Sequence, residues 1–481
     1  MAGHNVLFLF SDEHRRDALG CYGHPLVRTP HLDGLARRGT RFTRAYTPSP
    51  ICVPARASMA SGYYVSKTRC WSNAQAYHGT PRGWGHCLQE HGLRVDSVGK
   101  LHYRGADSDN GFNREILPMY IHDGIGWIKG LLRDHESVLD CSHYASQIGP
   151  GDCDYTDYDL GVTREACKWL DIAAGEEREK PWTLFVSWLR PHYPLTCPRA
   201  FYDLYDEREM DRARFTGPGD LSDHPVIVKL RNNFNYDSYF NDITRQIARI
   251  SYYGLCSFLD HQVGQVLNAL KRNGFLENTL VIYASDHGDH NGDRRMWTKM
   301  TLYEESAGIP LILAGPGIPE GVAVDTPASL VDIHPTVLAA IGVEGGTGDR
   351  PGIALQSLAD AKQPDRAVLC EYHDGGSPTG MFMLRYRKWK YNHYPGYPPQ
   401  LFDMEEDPDE RIDLGTSPAH GAVRDLCRER LHSIVDPDLA NRQAFSDQQH
   451  LIDRLGGIDA ILDSPEYDFT PTDSRRDDLS G

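Results

Sequence analysis

The amino-acid sequence predicts an α/β protein with a mostly parallel central sheet, followed by a small C-terminal α/β domain. Two apolar runs, residues 5–10 and 280–284, indicate strands buried on both faces, which is typical of a parallel sheet. Residues 247–273 carry apolar side chains at the three-and-four spacing of a long helix with a buried face. Residues 367–372 and 381–385 indicate the antiparallel strands of the second domain.

Composition and charge exclude several classes of function. The net charge of −17 over 481 residues argues against nucleic acid, an anionic membrane surface or a long polyanionic substrate. Eleven cysteines are scattered without a Cys-x-x-Cys pair, which fits reduced thiols better than disulfides. The apolar run at 6–10 is too short for a signal sequence or a membrane span. We therefore expect a cytoplasmic protein that binds neither nucleic acid nor membrane.

The first predicted strand ends in acidic residues. Residues 5–10 are followed by Ser11, Asp12, Glu13 and His14. Because open α/β sheets bind ligands beyond the carboxyl ends of their strands, Asp12 and Glu13 are candidates for a site. The alternative is that they cap a following helix.

The run Cys-Val-Pro-Ala-Arg-Ala-Ser-Met-Ala-Ser-Gly at 52–62 carries the clearest chemistry. Pro54 suits the first turn of a helix, which places Cys52 at or just before a helix N-terminus. The free N–H groups of that terminus favour an anion, and the Arg56 guanidinium suits paired sulfate or phosphate oxygens. A thiol, a helix start and an arginine together indicate an anion-handling nucleophile. The alternative is a buried structural cysteine.

This eleven-residue run resembles the signature of type I sulfatases, which belong to the alkaline-phosphatase superfamily. The resemblance extends over roughly residues 5–410 and includes a scaffold helix at 29–39. It implies an alkaline-phosphatase-like α/β/α sandwich. It also implies that a formylglycine-generating maturation enzyme oxidises Cys52 to Cα-formylglycine, whose hydrate is the nucleophile.

A second motif follows a predicted helix at 83–92 and a strand at 94–98. In Gly99-Lys100-Leu101-His102, an extended backbone would place Lys100 and His102 on one face. The motif is similar to the sulfatase Gly-Lys-x-His, which implies that Lys100 binds sulfate oxygens and His102 contacts the hydrate. A surface lysine and an incidental histidine are the alternative. Asn73, twenty-one residues beyond Cys52, has a spacing similar to that in phosphonate monoester hydrolases.

The middle of the chain carries a candidate general acid between two irregular segments. Residues 104–159 and 199–238 show no clear period, which predicts insertions at the catalytic rim, a lid or an oligomer contact. After a helix at 161–174, a strand at 181–189 ends in Arg-Pro-His-Tyr-Pro. This Pro-His-x-Pro resembles the family segment over the leaving group and implies that His192 is the general acid.

The strand at 280–284 ends in Ser285-Asp286-His287-Gly288, which resembles the second metal motif of the superfamily. The resemblance implies that Asp12, Glu13, Asp286 and His287 hold one divalent cation. Carboxylates with one imidazole favour Ca²⁺, with Mn²⁺ as the alternative, over Zn²⁺. Glu13 departs from the usual Asp or Gln, and several sulfatases have Asn where His287 stands. Lys299 matches the second sulfate-binding lysine of the family.

We expect a catalytic domain at 1–365 and a C-terminal subdomain at 366–481. The subdomain should contain three antiparallel strands, at 367–372, 381–385 and 388–394, and a helix at 422–434. The acidic tail from Asp436 is expected to be extended or to wrap a neighbouring subunit, which leaves a homo-oligomer open.

The predicted function is hydrolysis of a small sulfate monoester to an alcohol and inorganic sulfate. The nearer alternative is a phosphonate monoester or phosphodiester hydrolase, which His287 and Asn73 favour and Lys100 and His102 oppose. The farther alternative is a catalytically silent binding protein on the same scaffold.

Overall fold

The computed structural model describes residues 3–135, 141–176, 180–206, 208, 210–344, 346, 348–360, 363–465 and 470–472. The strands of the described residues are, in chain order, β1 (Asn5–Asp12), β2 (Gly39–Phe42), β3 (Ala45–Tyr46), β4 (Arg94–Lys100), β5 (Arg114–Met119), β6 (Ile148–Pro150), β7 (Trp182–Pro191), β8 (Leu195–Cys197), β9 (Thr279–Ser285), β10 (Leu311–Ala314), β11 (Val322–Val324), β12 (Ala328–Ser329), β13 (Ala367–Tyr372), β14 (Met381–Tyr386), β15 (Trp389–His393) and β16 (Gln400–Asp403).

The α-helices of the same residues are α1 (Pro30–Arg37), α2 (Cys52–Ser61), α3 (Val65–Thr68), α4 (Trp84–Glu90), α5 (Ser142–Ser146), α6 (Asp154–Ala174), α7 (Arg199–Tyr202), α8 (Pro225–Phe234), α9 (Asp242–Arg272), α10 (Glu304–Ala307), α11 (Ile333–Ile341), α12 (Leu355–Asp360), α13 (Gly421–His432), α14 (Pro437–Arg454) and α15 (Ile458–Leu462). In this part of the chain no helix is both long enough and apolar enough to cross a lipid bilayer.

The central sheet has eight strands in the order β11-β2-β10-β9-β1-β7-β4-β5. Strand β1 lies near its middle and pairs in parallel with β7 and β9, and β4 pairs in parallel with β7 and β5. Strand β10 alone in this sheet runs antiparallel to its described neighbours, β9 and β2. The predicted mostly parallel sheet is therefore confirmed.

Helices cover both faces of this sheet, and the alternation of side chains along β1 shows how. Val6 and Phe8 lie in one apolar cluster with Leu88 of α4 and Val337 of α11. Leu7 lies in another cluster with residues of α6 and α9. Because successive strand residues point to opposite faces, a run of apolar residues builds two cores at once. This arrangement is the expected α/β/α sandwich.

The small sheet has four antiparallel strands in the order β13-β14-β15-β16. Three of these strands and helix α13 fall where the sequence predicted them. Leu369 and Phe382 of the sheet pack with Tyr64 and Trp71, which lie just beyond helix α2 and just beyond α3. The boundary between residues 365 and 366 remains a prediction.

The prediction of an extended tail from Asp436 is wrong for the described residues, because this stretch forms α14 and α15. The Asp436 side chain caps α14 by accepting a hydrogen bond from Leu439 N at 3.0 Å, and Pro437 occupies the first turn. The buried face of α14 recurs every four residues, at Ala440, Ala444, Gln448 and Ile452. Such a sparse stripe of small and polar residues gives little apolar signal. Residues 466–469 and 473–481 of the predicted tail lie outside the described residues.

Candidate active site

The candidate site lies where several strands end. Strands β1 and β9 pair in parallel with Ser11 opposite Ser285, so that the next residues, Asp12 and Asp286, lie side by side. Strand β4 ends at Lys100, and β7 runs to Pro191, immediately before His192. The parallel sheet thus brings together residues far apart in the chain at its carboxyl edge, as ligand sites of open α/β sheets require.

Cys52 is the first residue of helix α2, as predicted, and is buried. Its Sγ lies 3.2 Å from His287 Nε2, 3.2 Å from Lys299 Nζ and 3.7 Å from Asp12 Oδ1. Burial and the Asp12 carboxylate raise the pKa of the Cys52 thiol to about 11. At neutral pH the unmodified side chain is therefore a protonated thiol, which is a poor nucleophile.

Four buried residues offer ligand atoms that lie within 4.8 Å of one another, and these are Asp12, Cys52, Asp286 and His287. His287 Nε2 is 3.8 Å from Asp12 Oδ1 and 3.6 Å from Asp286 Oδ1. Two carboxylates and an imidazole at this spacing suit a hard or borderline divalent cation. Three of the four predicted metal ligands are thus brought together around Cys52.

Glu13, the fourth predicted ligand, groups with Asp12 and His192 rather than with Asp286 and His287. Its backbone is strained, with φ at +65°, and its Oε1 is buried without a hydrogen-bond partner among the described residues. Burial raises the pKa of Glu13 well above its ordinary value, and the nearby Asp289 carboxylate raises it further. A buried carboxylate oxygen with no hydrogen-bond donor among the described residues fits a cation ligand.

Asp289 is a residue that the sequence analysis missed. It is buried, and burial raises the pKa of its carboxyl group. The signal that could have found it is its spacing, three residues after Asp286 in the same loop.

The Arg56 guanidinium faces the acidic residues of the site, whereas the sequence predicted that it would contact sulfate oxygens. Its Nε donates to Asp286 Oδ2 at 2.9 Å and its Nη2 to Asp12 Oδ2 at 3.1 Å. Its Nη1 donates to the Lys100 carbonyl and to Ser187 Oγ, both at 3.0 Å. The guanidinium is fully buried and hydrogen-bonded to both carboxylates, and the predicted contact of Arg56 with sulfate oxygens stays a prediction.

Two lysines contact the acidic residues of the site. Lys100 Nζ contacts Asp12 Oδ2. Lys299 Nζ lies 3.2 Å from both Cys52 Sγ and Glu13 Oε2. Both lysines are buried, and the Cys52 and Glu13 side chains hold the pKa of Lys299 above its ordinary value although burial opposes this. Positive charge is therefore concentrated beside Cys52.

His192 lies at the site in a neutral state. Its Nε2 is 2.8 Å from Lys299 Nζ and 3.2 Å from Glu13 Oε2. Burial, and next the Lys299 charge, hold the pKa of His192 well below its ordinary value. The imidazole thus accepts a hydrogen bond from Lys299, and a general-acid role requires the Lys299–His192 pair to supply the proton together.

Lys100 and His102 both line the same cavity as Cys52, but not for the reason predicted. Strand β4 ends at Lys100, and His102 has φ at +59°, so the two residues do not continue one extended segment. His102 Nε2 instead lies 3.0 Å from Thr470 Oγ1, a residue of the distant C-terminal segment. A left-handed turn after the strand is what aims His102 at the site.

Asn73 also lines this cavity, and its Oδ1 accepts a hydrogen bond from Val53 N at 3.0 Å. The Asn73 amide therefore satisfies one of the free N–H groups at the start of α2. Its own backbone N–H donates to Asp374 Oδ2 at 2.8 Å, which ties it to the C-terminal sheet.

The mouth of the cavity is aromatic. Its walls include Trp127, Tyr144, Tyr155, Phe234 and Tyr236. These residues come from, or directly border, the two segments at 104–159 and 199–238 whose sequence showed no period. The cavity volume is about 150 Å³, where one enclosed water needs about 10–15 Å³. The arrangement leaves room for a small alcohol above the charged floor.

Comparison with known proteins places this geometry in context. The family model described as Sulfatase matches residues 4–343. A choline-sulfatase of Rhizobium meliloti (strain 1021) is 33% identical over 405 residues, which cover 82% of this chain and 78% of that protein. An arylsulfatase K of Homo sapiens is 29% identical over 461 residues, covering 90% of this chain and 82% of that protein.

Solved structures share the fold. A phosphonate monoester hydrolase of Agrobacterium radiobacter superposes with a TM-score of 0.74 at 23% identity, covering 90% of this chain and 95% of that one. A 2-O GAG sulfatase gives a TM-score of 0.71 at 23% identity, covering 90% of this chain and 91% of that one. Both likenesses show the architecture and leave the substrate to be argued from the site.

Proposed function

This chain belongs to the sulfatase family and is a sulfuric ester hydrolase, and we propose that it hydrolyses a small sulfate monoester with residue 52 as formylglycine. The observation that carries the proposal is the convergence of Cys52 with Asp12, Asp286, His287 and Lys299 in one buried cluster. A nucleophile, a cation site and positive charge for an oxyanion are all within reach of one another there.

Oxidation of Cys52 by a formylglycine-generating maturation enzyme would resolve a chemical problem. The pKa of about 11 leaves the thiol protonated, and a sulfated thiol would need a further nucleophile for its release. A hydrated aldehyde has two hydroxyl groups on one carbon. One hydroxyl would give its proton to the Lys299–His192 pair as its oxygen bonds to sulfur and the bond from sulfur to the alcohol oxygen breaks. Deprotonation of the other hydroxyl would then break the bond from carbon to the sulfate oxygen, which releases sulfate and restores the aldehyde.

Asp12, Asp286 and His287 would hold one divalent cation, with Glu13 Oε1 as a further oxygen ligand. We propose Ca²⁺, with Mn²⁺ as the alternative, because the donor set is rich in carboxylate oxygens and holds one nitrogen. When bound, the cation supplies positive charge that orients the hydrate and lowers the cost of its ionisation. Arg56 fixes the carboxylates that would bind it.

The remaining residues stabilise negative charge and transfer protons. Lys100 and Lys299 neutralise the sulfate oxygens as negative charge develops on them. As the bond from sulfur to the alcohol oxygen breaks, the leaving oxygen takes up the proton that Lys299 and His192 share across their 2.8 Å contact. His102 accepts the proton of the second hydroxyl, which releases inorganic sulfate.

The alcohol half of the substrate would lie against the aromatic walls. Faces of Trp127, Tyr144 and Phe234 can stack on an aryl ring or attract a quaternary ammonium group by cation–π interaction. The cavity volume of about 150 Å³ favours a compact alcohol over an oligosaccharide. We therefore propose a small aryl or quaternary-ammonium alkyl sulfate, two classes that match the names of the arylsulfatase and choline-sulfatase relatives.

Peptide mass spectrometry of natively produced protein tests the nucleophile directly. We expect the peptide that contains residue 52 to carry formylglycine, and Cys52→Ala to lose turnover of choline sulfate and of 4-nitrophenyl sulfate. An unmodified Cys52 in protein that turns these esters over, or a fully active Cys52→Ala variant, contradicts the proposal.

A second candidate function is phosphonate monoester hydrolysis, which His287 and Asn73 favour. His287 Nε2 lies 3.2 Å from Cys52 Sγ, and Asn73 lines the cavity. The two lysines beside Cys52 suit either oxyanion, so the ratio of kcat/KM for matched aryl sulfate and aryl phosphonate esters decides between them. We expect the ratio to favour sulfate.

A further inference from the structure

The C-terminal segment of the chain reaches the catalytic cavity, although it lies well outside the region that the family model matches. Ser464, Pro465 and Thr470 line the same cavity as Cys52 and His102. The residues before them are anchored, since Ile452 of α14 and Ile461 of α15 pack with Leu131 and Leu132 of the insertion. Helices α14 and α15 are therefore docked on the insertion, and Thr470 lies at the cavity.

Thr470 makes two hydrogen bonds with catalytic-domain residues. Its Oγ1 lies 3.0 Å from His102 Nε2, and its carbonyl accepts a hydrogen bond from Tyr155 OH at 2.9 Å. His102 is 6% exposed and Tyr155 is 1% exposed, whereas Thr470 is half-buried, so both bonds are partly buried. His102 Nδ1 is buried and has no partner among the described residues. Thr470 Oγ1 is thus the group that fixes the orientation of the His102 ring.

Thr470 also separates two cavities. On its other side lies a larger groove with a volume of about 640 Å³, lined among others by Arg104, Leu117, Tyr158 and Pro471. Thr470, Ile121 and His122 line both spaces. Thr470, together with Ile121 and His122, therefore forms a wall between the small catalytic cavity and the larger groove.

We propose that Thr470 is a positioning and specificity-determining residue, which holds His102 for proton transfer and confines the alcohol half of the ester to the small aromatic cavity. The inference rests on the proposed function and deepens it. A hydroxyl on this wall orients the imidazole, because a buried ring with one fixed nitrogen cannot rotate freely. The bulk of the wall limits the size of the alcohol.

The first test compares Thr470→Val with Thr470→Ser in the full chain. Valine has nearly the same shape but no hydroxyl, so kcat for choline sulfate should fall roughly 3- to 10-fold with little change in KM. Serine keeps the hydroxyl and should restore most of kcat. Equal kcat for wild type and Thr470→Val, or equal losses in Thr470→Val and Thr470→Ser, would overturn the positioning role.

The second test uses Thr470→Gly, which keeps the backbone carbonyl that Tyr155 binds but removes the side chain between the two cavities. We expect kcat/KM for a bulky ester, 4-methylumbelliferyl sulfate, to rise at least about threefold relative to that for choline sulfate. Thr470→Ser should leave this ratio within about twofold of wild type. An unchanged ratio in Thr470→Gly would overturn the role in specificity.

A crystal structure of the full-length protein separates failure of this inference from failure of the proposed function. Thr470 beside His102 of the same chain supports the wall. If Thr470 lies elsewhere, or if a second copy's segment takes its place, the proposed role of Thr470 is overturned, whatever the activity of the enzyme. If the wall is present and no sulfate ester is hydrolysed by formylglycine-containing protein, it is the proposed function that fails.

Discussion

Single residues at this site are held by many partners, and Arg56 is the clearest case. One fully buried guanidinium satisfies Asp12, Asp286, Ser187 Oγ and a backbone carbonyl. A planar fork can serve these acceptors at once, whereas an ammonium group cannot reach them in the same geometry. A single residue, Arg56, therefore decides whether the two carboxylates face the cation site.

Arg56→Lys should lower kcat/KM for a sulfate ester by at least about 100-fold, because an ammonium group cannot donate to both carboxylates and the cation site loses its shape. Steady-state kinetics measures the change. Arg38→Lys, on the exposed end of α1, is the matched control and should behave like wild type. Wild-type turnover in Arg56→Lys would contradict the assigned role.

Glu13→Gln should weaken cation binding at least about tenfold, because the amide cannot supply the negatively charged oxygen that Oε1 offers. Isothermal titration of Ca²⁺ and Mn²⁺ into metal-depleted protein measures this independently of turnover. Glu405→Gln, at a surface glutamate with 57% exposure, is the control. An unchanged dissociation constant would place Glu13 outside the cation site.

At the scale of elements, parallel pairing and helix starts aim the side chains. The register of β1 against β9 puts Asp12 beside Asp286, and α2 begins at Cys52. Helix α1, in turn, is held against the long helix α9 by Asp260, whose carboxylate accepts hydrogen bonds from His31 N at 3.1 Å and Leu32 N at 2.8 Å. Elements that carry no catalytic group thus keep the frame of the site in register.

Asp260 gives the fold a measurable pH dependence. Burial raises the pKa of Asp260 to about 7 in the folded protein, against about 3.9 in the unfolded chain. Between these values the folded state holds the proton and the unfolded state has released it, so stability from this group falls as pH rises from about 4 to 7.

The free energy of unfolding of wild type minus that of Asp260→Asn should therefore decline with rising pH in this window. The slope should reach at most about 1.4 kcal/mol per pH unit, because asparagine does not titrate. Urea denaturation at several pH values measures the difference, in which other titrating groups cancel. A difference independent of pH would show that Asp260 is not protonated in the folded state.

At the scale of the whole molecule, buried charges join the small sheet to the catalytic half. Lys390 of β15 is fully buried and lies 2.9 Å from Glu304 Oε1 and 2.7 Å from Glu410 Oε1. Glu304 also contacts Arg16, four residues beyond Asp12. The charge network therefore runs from the C-terminal sheet to the loop that follows the metal-binding acids.

Lys390→Met should destabilise the protein by about 3–5 kcal/mol, because it leaves Glu410 buried without its cation. Lys388→Met, two residues away, is the control and should cost about 0–1 kcal/mol, because the Lys388 side chain that pairs with Asp403 is exposed. Chemical denaturation followed by intrinsic fluorescence measures both. Equal stabilities of the two variants would show that the buried network is not holding the two sheets together.

Local patterns were enough to predict β1, β9, α2 and three of the four strands of the small sheet, since each is marked by apolar spacing or by proline and glycine at its ends. They were not enough for α14, because its buried stripe is built of alanine and glutamine. Lys100 and His102 lie in the same cavity, as the sequence predicted. A turn with a positive φ at His102 brings them there, and no periodicity in the sequence indicates such a turn.

The sequence by itself determined the α/β architecture, the position of Cys52 at a helix start and the identity of the acids, lysines and histidines around it. Only the tertiary structure decided that Arg56 faces the acids and that Lys299 pairs with His192. It also decided that Glu13 Oε1 has no hydrogen-bond partner among the described residues and that Thr470 lines the cavity. The physical reason is the separation along the chain over which the two kinds of interaction act. Strand and helix signals arise between near neighbours, whereas hydrogen bonds and burial at the site join residues hundreds of positions apart, and no local pattern encodes where those meet.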